Sequence, residues 1–288
     1  MILLVVGADR VDAGKTTFSA GLLERTGARG YKPRAGNDYW FDHDDCRRAL
    51  ADGRLYGKDA TRLAAAEGRD RRPERLNPVH RLWQPAPGGG TGLLGRSDRE
   101  FIVDRVGRSV GDESENEDEG GDDEPLFVRN ATAEIPDAVA DALPLEDAIP
   151  VETVAEFNEV AERRYVPAFE ELAAEIESRE VAVVESYSDI ARPLQSMDPA
   201  AVSAVAAIEP GRARIYPGDR YCRACEIASS SPRDGAVEKR VGSVLEYLDP
   251  LESVPLQPLS GDERRDPGAI ADANEPAYDA LLDAAGTV

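Results

Sequence analysis

The stretch Ile2-Leu3-Leu4-Val5-Val6-Gly7-Ala8-Asp9-Arg10-Val11-Asp12-Ala13-Gly14-Lys15-Thr16-Thr17-Phe18-Ser19-Ala20-Gly21-Leu22-Leu23-Glu24-Arg25 decides how this chain is read. Its apolar opening run predicts a buried strand. A loop bounded by Gly7 and Gly14 follows, and Gly14-Lys15-Thr16-Thr17 opens an amphipathic helix. Strand, loop and helix in this order make an anion-binding helix N-terminus. Small residues let backbone N–H groups close on phosphate oxygens, and the helix end adds partial positive charge. On this reading Asp12, Ala13, Gly14, Lys15, Thr16 and Thr17 line a phosphate chain. Lys15 neutralises the β- and γ-phosphates and the Thr16 hydroxyl holds Mg²⁺. The common G-x-x-x-x-G-K-[ST] spacing would put glycine at position 9, which is Asp9. The longer loop points to a subset of such proteins.

Composition narrows the class. The 288 residues are 41% hydrophobic, enough for one large domain or two small ones, and they are read as one domain over 1–288. No apolar run reaches 18 residues, so no membrane span is expected. No basic region precedes Ile2, so no secretion signal is expected and the location read is cytoplasmic. The formal charge is −22, from 56 acids against 34 bases, which argues against nucleic acid and anionic membranes as partners. Lysine occurs only at Lys15, Lys32, Lys58 and Lys239. Such an acidic, lysine-poor surface resembles that of salt-in halophiles, where a Debye length of about 3 Å at 1 M salt screens self-repulsion. Cys46, Cys222 and Cys225 make no disulfide framework. Cys222 and Cys225 could form half a zinc site, with Cys46, His43 and His80 as further ligands, or a redox pair; otherwise they are thiols in a reducing compartment.

Along the chain, 30–33 reads as a short strand and 44–52 and 58–67 as helices, with Asp59 suited to an N-cap. Residues 69–98, rich in Pro, Gly and Arg, read as a long ordered loop. Residues 101–106 and 126–129 read as a hairpin. Between them, 111–125 is a disordered acidic loop, with nine acids in the 13 residues of 112–124. Helical spacing from Val151 to Ala161 predicts a helix that Pro167 kinks or restarts before Phe169. Val181-Ala182-Val183-Val184-Glu185 reads as a strand buried on both faces and ending in an acid. Further apolar runs lie at 202–208, 213–216 and 253–256. The alternation predicts an α/β fold with a mostly parallel sheet flanked by helices. Gly14, Lys32 and Glu185 then fall at the carboxyl edge of that sheet, where such folds bind ligands.

Several segments resemble the dethiobiotin synthetase family of P-loop enzymes. Gly7–Thr17 is similar to its long G-T-D-x-x-x-G-K-T loop. Gly30-Tyr31-Lys32-Pro33-Arg34-Ala35-Gly36 is similar to G-Y-K-P-x-x-S-G, and Asp59-Ala60 with Leu63 to a D-A-x-x-L helix start. Leu76-Asn77-Pro78-Val79-His80, followed by Pro85-Ala86-Pro87, is similar to V-N-P-Y…P-x-x-P. Gly36–His43 resembles the G-P-D-Y-I-D-P-x-H segment of cobyrinic acid a,c-diamide synthases, of the same superfamily. The chain as a whole looks like an archaeal P-loop ATPase or GTPase of unassigned substrate.

The resemblance implies a P-loop NTPase that uses ATP (or GTP) and Mg²⁺ in phosphoryl transfer to a small carboxylate or carbamate. It implies Thr16, Asp59 and Glu185 around Mg²⁺, Lys15 and Lys32 as catalytic cations, Gly36, Asp38 and His43 on the substrate side, and a homodimer. The chain departs from the pattern at Ser186-Tyr187-Ser188-Asp189, where dethiobiotin synthetases have G-A-G-G, and at Ala35. The substrate therefore does not transfer. The alternative is a nucleotide-switched regulatory or assembly ATPase, which would carry a flat apolar surface on the Gly36–His43 segment.

Overall fold

The computed structural model describes residues 1–8, 14–68, 71–86, 93–94, 99–107, 125–228 and 238–286. Its strands are β1 (Ile2–Gly7), β2 (Arg29–Tyr31), β3 (Arg34–Asp38), β4 (Val79–Pro85), β5 (Arg99–Val106), β6 (Leu126–Asn130), β7 (Ile149–Val151), β8 (Ala182–Glu185), β9 (Val202–Glu209), β10 (Arg212–Pro217) and β11 (Glu252–Pro255). The chain divides into two compact units. The first comprises Met1–Pro33, Arg62–Arg71 and Ala173–Val288, and the second Arg34–Thr61 and Arg72–Leu172. The fold is α/β with mixed sheets. No helix among the described residues is long and apolar enough to cross a membrane.

The first unit is built on a six-stranded sheet in the order β11-β10-β9-β1-β8-β2. β1, β8, β9 and β2 are mutually parallel, whereas β10 runs antiparallel to β9; β11, antiparallel in turn to β10, returns to the common direction. A tight turn joins β9 to β10, with Gly211 at φ +77°, so β10 returns beside its predecessor and breaks the parallel pattern expected from the sequence. All six residues of β1 are buried. Complete burial is worth about 1.5–3 kcal/mol for each large aliphatic side chain, so this strand anchors the unit. The Lys15–Thr26 helix carries Phe18 against Tyr278 at 4.7 Å, and the Tyr278 hydroxyl donates to the Phe18 carbonyl at 3.0 Å. The Pro267–Ala273 and Glu275–Gly286 helices thus cover the helix that follows β1.

The second unit is built on a five-stranded sheet in the order β3-β4-β5-β6-β7, also mixed. The hairpin expected from residues 101–106 and 126–129 is present as antiparallel β5 and β6. The loop expected over 69–98 gives way, within its described part, to a Pro73–Leu76 helical turn and to β4. Prolines flank β4 at Pro78 and end it at Pro85, so they bound the strand rather than prevent it. The core gathers Leu50, Leu55, Leu82, Ile102, Val103 and Phe127. Arg81 closes on Asp104 through Nε and Nη2 at 2.7 and 2.6 Å, and Tyr165 donates to Asp104 at 2.6 Å. The Arg81 guanidinium also lies 4.6 Å from the Phe101 ring and 5.3 Å from the Phe157 ring. The expected break at Pro167 takes the form of a π-helical stretch, Ala161–Tyr165, just before it. Proline has no N–H to continue the i→i−4 ladder, and a widened turn absorbs the loss. Of the acidic loop read over 111–125, residues 111–124 lie outside the described residues.

Candidate functional site

The carboxyl edge of the first unit's sheet gathers the charged residues. Glu185 ends β8, whose neighbours on either side are β1 and β2. In the parallel β2–β8 register Tyr31 faces Val184, so the next residue, Lys32, falls opposite Glu185. The Lys32 ammonium ion-pairs with Glu185 Oε1. The same oxygen accepts from the Thr16 hydroxyl at 2.8 Å. Glu185 is 0% exposed and Lys32 4%. Glu185 Oε2 is buried and has no hydrogen-bond partner among the described residues. A buried carboxylate oxygen left without a partner loses hydration and gains nothing in return, which is uncommon in native structures.

The helix end beside this pair is set by glycines. Gly14 caps the Lys15–Thr26 helix at φ +87°, a left-handed conformation that L side chains rarely adopt. A side chain at Gly7 would begin 2.6 Å from the Lys15 ammonium, which lies back over the end of β1. That ammonium donates to the Ser188 carbonyl at 2.7 Å. Ser188 is itself strained, with φ +48°. Such a conformation costs on the order of 1–3 kcal/mol and persists only where neighbours enforce it. Here Asp189 binds Arg240 Nη1 through both carboxylate oxygens, at 2.8 and 2.7 Å, and the Asp189 carbonyl accepts from Val241 N at 2.7 Å. Burial acts to raise the Asp189 pKa, but the hydrogen bond and charge of Arg240 outweigh it and hold the carboxyl below its ordinary value. Lys15, Lys32 and the helix N-terminus bring positive charge to the Glu185 carboxylate, an arrangement suited to an anion.

Other residues singled out by sequence are distributed differently. Asp12 and Ala13 lie outside the described residues, whereas Gly14, Lys15, Thr16 and Thr17 form the helix start. Asp59 is in the first turn of the Lys58–Ala66 helix and belongs to the second unit. Gly36, Asp38 and His43 are also in the second unit. Gly36 lies close to β4, where a Cβ would meet the Arg81 carbonyl at 2.7 Å. Asp38 Oδ1 accepts from the backbone N–H groups of Trp40 and Phe41 at 2.9 and 3.1 Å and so shapes a turn. His43 Nδ1 lies 2.9 Å from the Tyr39 carbonyl, in an exposed setting. The three cysteines are free and buried. Burial pushes the Cys46 and Cys225 thiols up to about 12 and raises Cys222 as well. Sequence reading missed Arg62, whose Nη2 donates to the Thr17 hydroxyl at 3.3 Å. Nothing in the local pattern marks it, because it comes from a helix 45 residues away.

Among the described residues, no three His, Cys, Asp or Glu side chains cluster as a metal cage. Mg²⁺ needs no such cage, since it is usually held by one or two carboxylates with phosphate oxygens and water. The unpartnered Glu185 Oε2 beside the Thr16 hydroxyl fits that donor set. Compared with protein-family models, with curated proteins and with solved structures, the chain matches none.

Proposed function

We propose that the first unit has a P-loop NTPase fold, binds ATP or GTP with Mg²⁺, and uses it to activate a small carboxylate or carbamate substrate by phosphoryl transfer. The observation that carries this reading is Glu185. It is fully buried, receives Thr16 and Lys32 on one oxygen, and leaves the other without a partner beside a helix N-terminus. Thr16 and Glu185 would hold Mg²⁺, which when bound neutralises charge on the β- and γ-phosphate oxygens. The residues of the chain do the rest by position. Lys15 exchanges the Ser188 carbonyl for a phosphate oxygen. The N–H groups of the first helical turn take the phosphate chain. Lys32 supplies positive charge where the transferred group becomes more anionic. In phosphoryl transfer such positioning and charge neutralisation are most of catalysis.

Isothermal titration of Mg-ATP and Mg-GTP in molar KCl tests the reading. The wild type should bind one of them, and at 100 times Kd the ligand should stabilise the fold by about 2.7 kcal/mol. Lys15→Ala should abolish turnover and keep the fold. Equal affinity in Lys15→Ala and the wild type overturns the assignment.

One observation favours a second reading, the nucleotide switch without a small-molecule substrate. Trp40 and Phe41, within the Gly36–His43 segment, are 73% and 72% exposed. Turnover that no carboxylate or carbamate stimulates, together with a nucleotide-dependent change in Trp40 fluorescence, would favour the switch.

A further inference from the structure

Consecutive threonines on the first helical turn hand their hydroxyls to opposite charges. Thr16 donates to Glu185, whereas Thr17 accepts from Arg62. Both contacts lie within the first unit. Arg62 is held by a second bond from the same Nη2 to the Arg264 carbonyl at 2.8 Å. Its Nε and Nη1 have no partner among the described residues, and the side chain is half-buried. A guanidinium thus stands fixed at the helix N-terminus with donors to spare, and a planar fork of donors is the group best matched to phosphate oxygens. Independently, the fully buried Glu185, which accepts from Thr16 on one oxygen, has no partner for the other among the described residues, so an unfinished carboxylate stands at the same helix end.

We infer that Arg62 is a nucleotide-binding residue that contacts the nucleoside-proximal phosphate, so that the site selects nucleotides over pyrophosphate. This rests on the nucleotide reading above. The terminal phosphate belongs with Lys15, Lys32 and Glu185. A phosphate chain crossing the helix end from there reaches Thr17 next, and Arg62 stands beside Thr17. The two ends of the chain are therefore read by different cations, and only the nucleoside-proximal end depends on Arg62.

The test is titration of Mg-ADP and of Mg-pyrophosphate into wild type, Arg62→Ala and Arg62→Gln, with steady-state ATP turnover alongside. Arg62→Gln retains a donor for the Arg264 carbonyl and removes the charge, so it separates phosphate binding from the tether. Loss of one charge-assisted hydrogen bond should weaken ADP by about 10- to 100-fold in both variants. Pyrophosphate affinity should stay within about threefold, and KM for ATP should rise while kcat at saturation holds. Wild-type ADP affinity in Arg62→Gln overturns the inference and leaves the nucleotide reading intact. Equal losses for ADP and pyrophosphate also overturn it, because they indicate a general field effect. Failure of the wild type to bind either nucleotide or pyrophosphate overturns both.

Discussion

Each unit buries the carboxylate of an ion pair, and the two pairs are finished differently. In the second unit Asp104 spends both oxygens on Arg81 and receives the Tyr165 hydroxyl as well, while aromatic rings face the guanidinium. In the first unit Glu185 crowds Thr16 and Lys32 onto one oxygen and leaves the other bare. The closed pair has nothing left to offer a ligand. The open pair leaves one buried oxygen under-satisfied. Burial of charge alone therefore does not mark a functional site, since both carboxylates are fully buried; an unfinished carboxylate marks one only in company, and at Glu185 the company is Thr16, Lys32 and a helix N-terminus.

The comparison can be broken first at the closed pair. Asp104→Asn leaves the largely buried Arg81 without a counter-charge and should lower stability by up to about 3–5 kcal/mol, the cost of breaking a fully buried pair. Urea denaturation measures this, and nucleotide affinity at low temperature should be unchanged. A loss below 1 kcal/mol would mean that the Arg81–Asp104 pair is not closed in solution. The open pair should show its effect in rate. Lys32→Met should lower kcat by about 10²–10³, roughly 2.7–4 kcal/mol, with ATP affinity nearly intact because Lys15 carries the ground-state contact. Near-wild-type rates would make Lys32 a structural partner of Glu185 and favour the switch reading.

The smallest effect belongs to Asp189–Arg240, which is partly exposed and pins the loop after β8. The folded Asp189 carboxyl lies below its ordinary pKa. Its contribution is therefore present above the unfolded value of about 3.9 and is lost as pH falls through the lower folded value. Arg240→Ala should remove roughly 0.2–1 kcal/mol at neutral pH and flatten the stability profile in the acid range below about pH 4. An acid profile identical to that of the wild type would show that the clamp is not formed in solution.

How much was legible depends on how local each signal is. The strand, loop and helix around Gly14–Thr17 are contiguous, and their apolar pattern and glycines specify them within one short stretch. Glu185 was legible because an unbroken apolar run ends in it, and Lys32 because it lies in the short strand read over 30–33 and is one of only four lysines. The second unit hid its sheet. β3 is Arg34-Ala35-Gly36-Asn37-Asp38, which has no apolar alternation and is held as a strand by pairing with β4. The prolines and arginines around β4 masked a strand in which Val79, His80 and Leu82 are fully or nearly fully buried. The antiparallel return of β10 depends on a turn rather than on a period. Arg62 depends on tertiary packing alone.

The sheet order has a consequence in time. β1 and β2 are made early, but β8, which separates them, appears only with residue 182, and β9 on the other side of β1 later still. At roughly 5–20 residues per second the nascent chain waits on the order of ten seconds or more with β1 unpaired on both edges. Unpaired apolar edges are the surfaces that aggregate. The helix after β1 can form at once, but the proposed anion site lacks its carboxylate until Glu185 has left the ribosome. If the proposed nucleotide reading holds, synthesis rather than ligand supply sets the earliest moment at which a nucleotide could act as a folding partner.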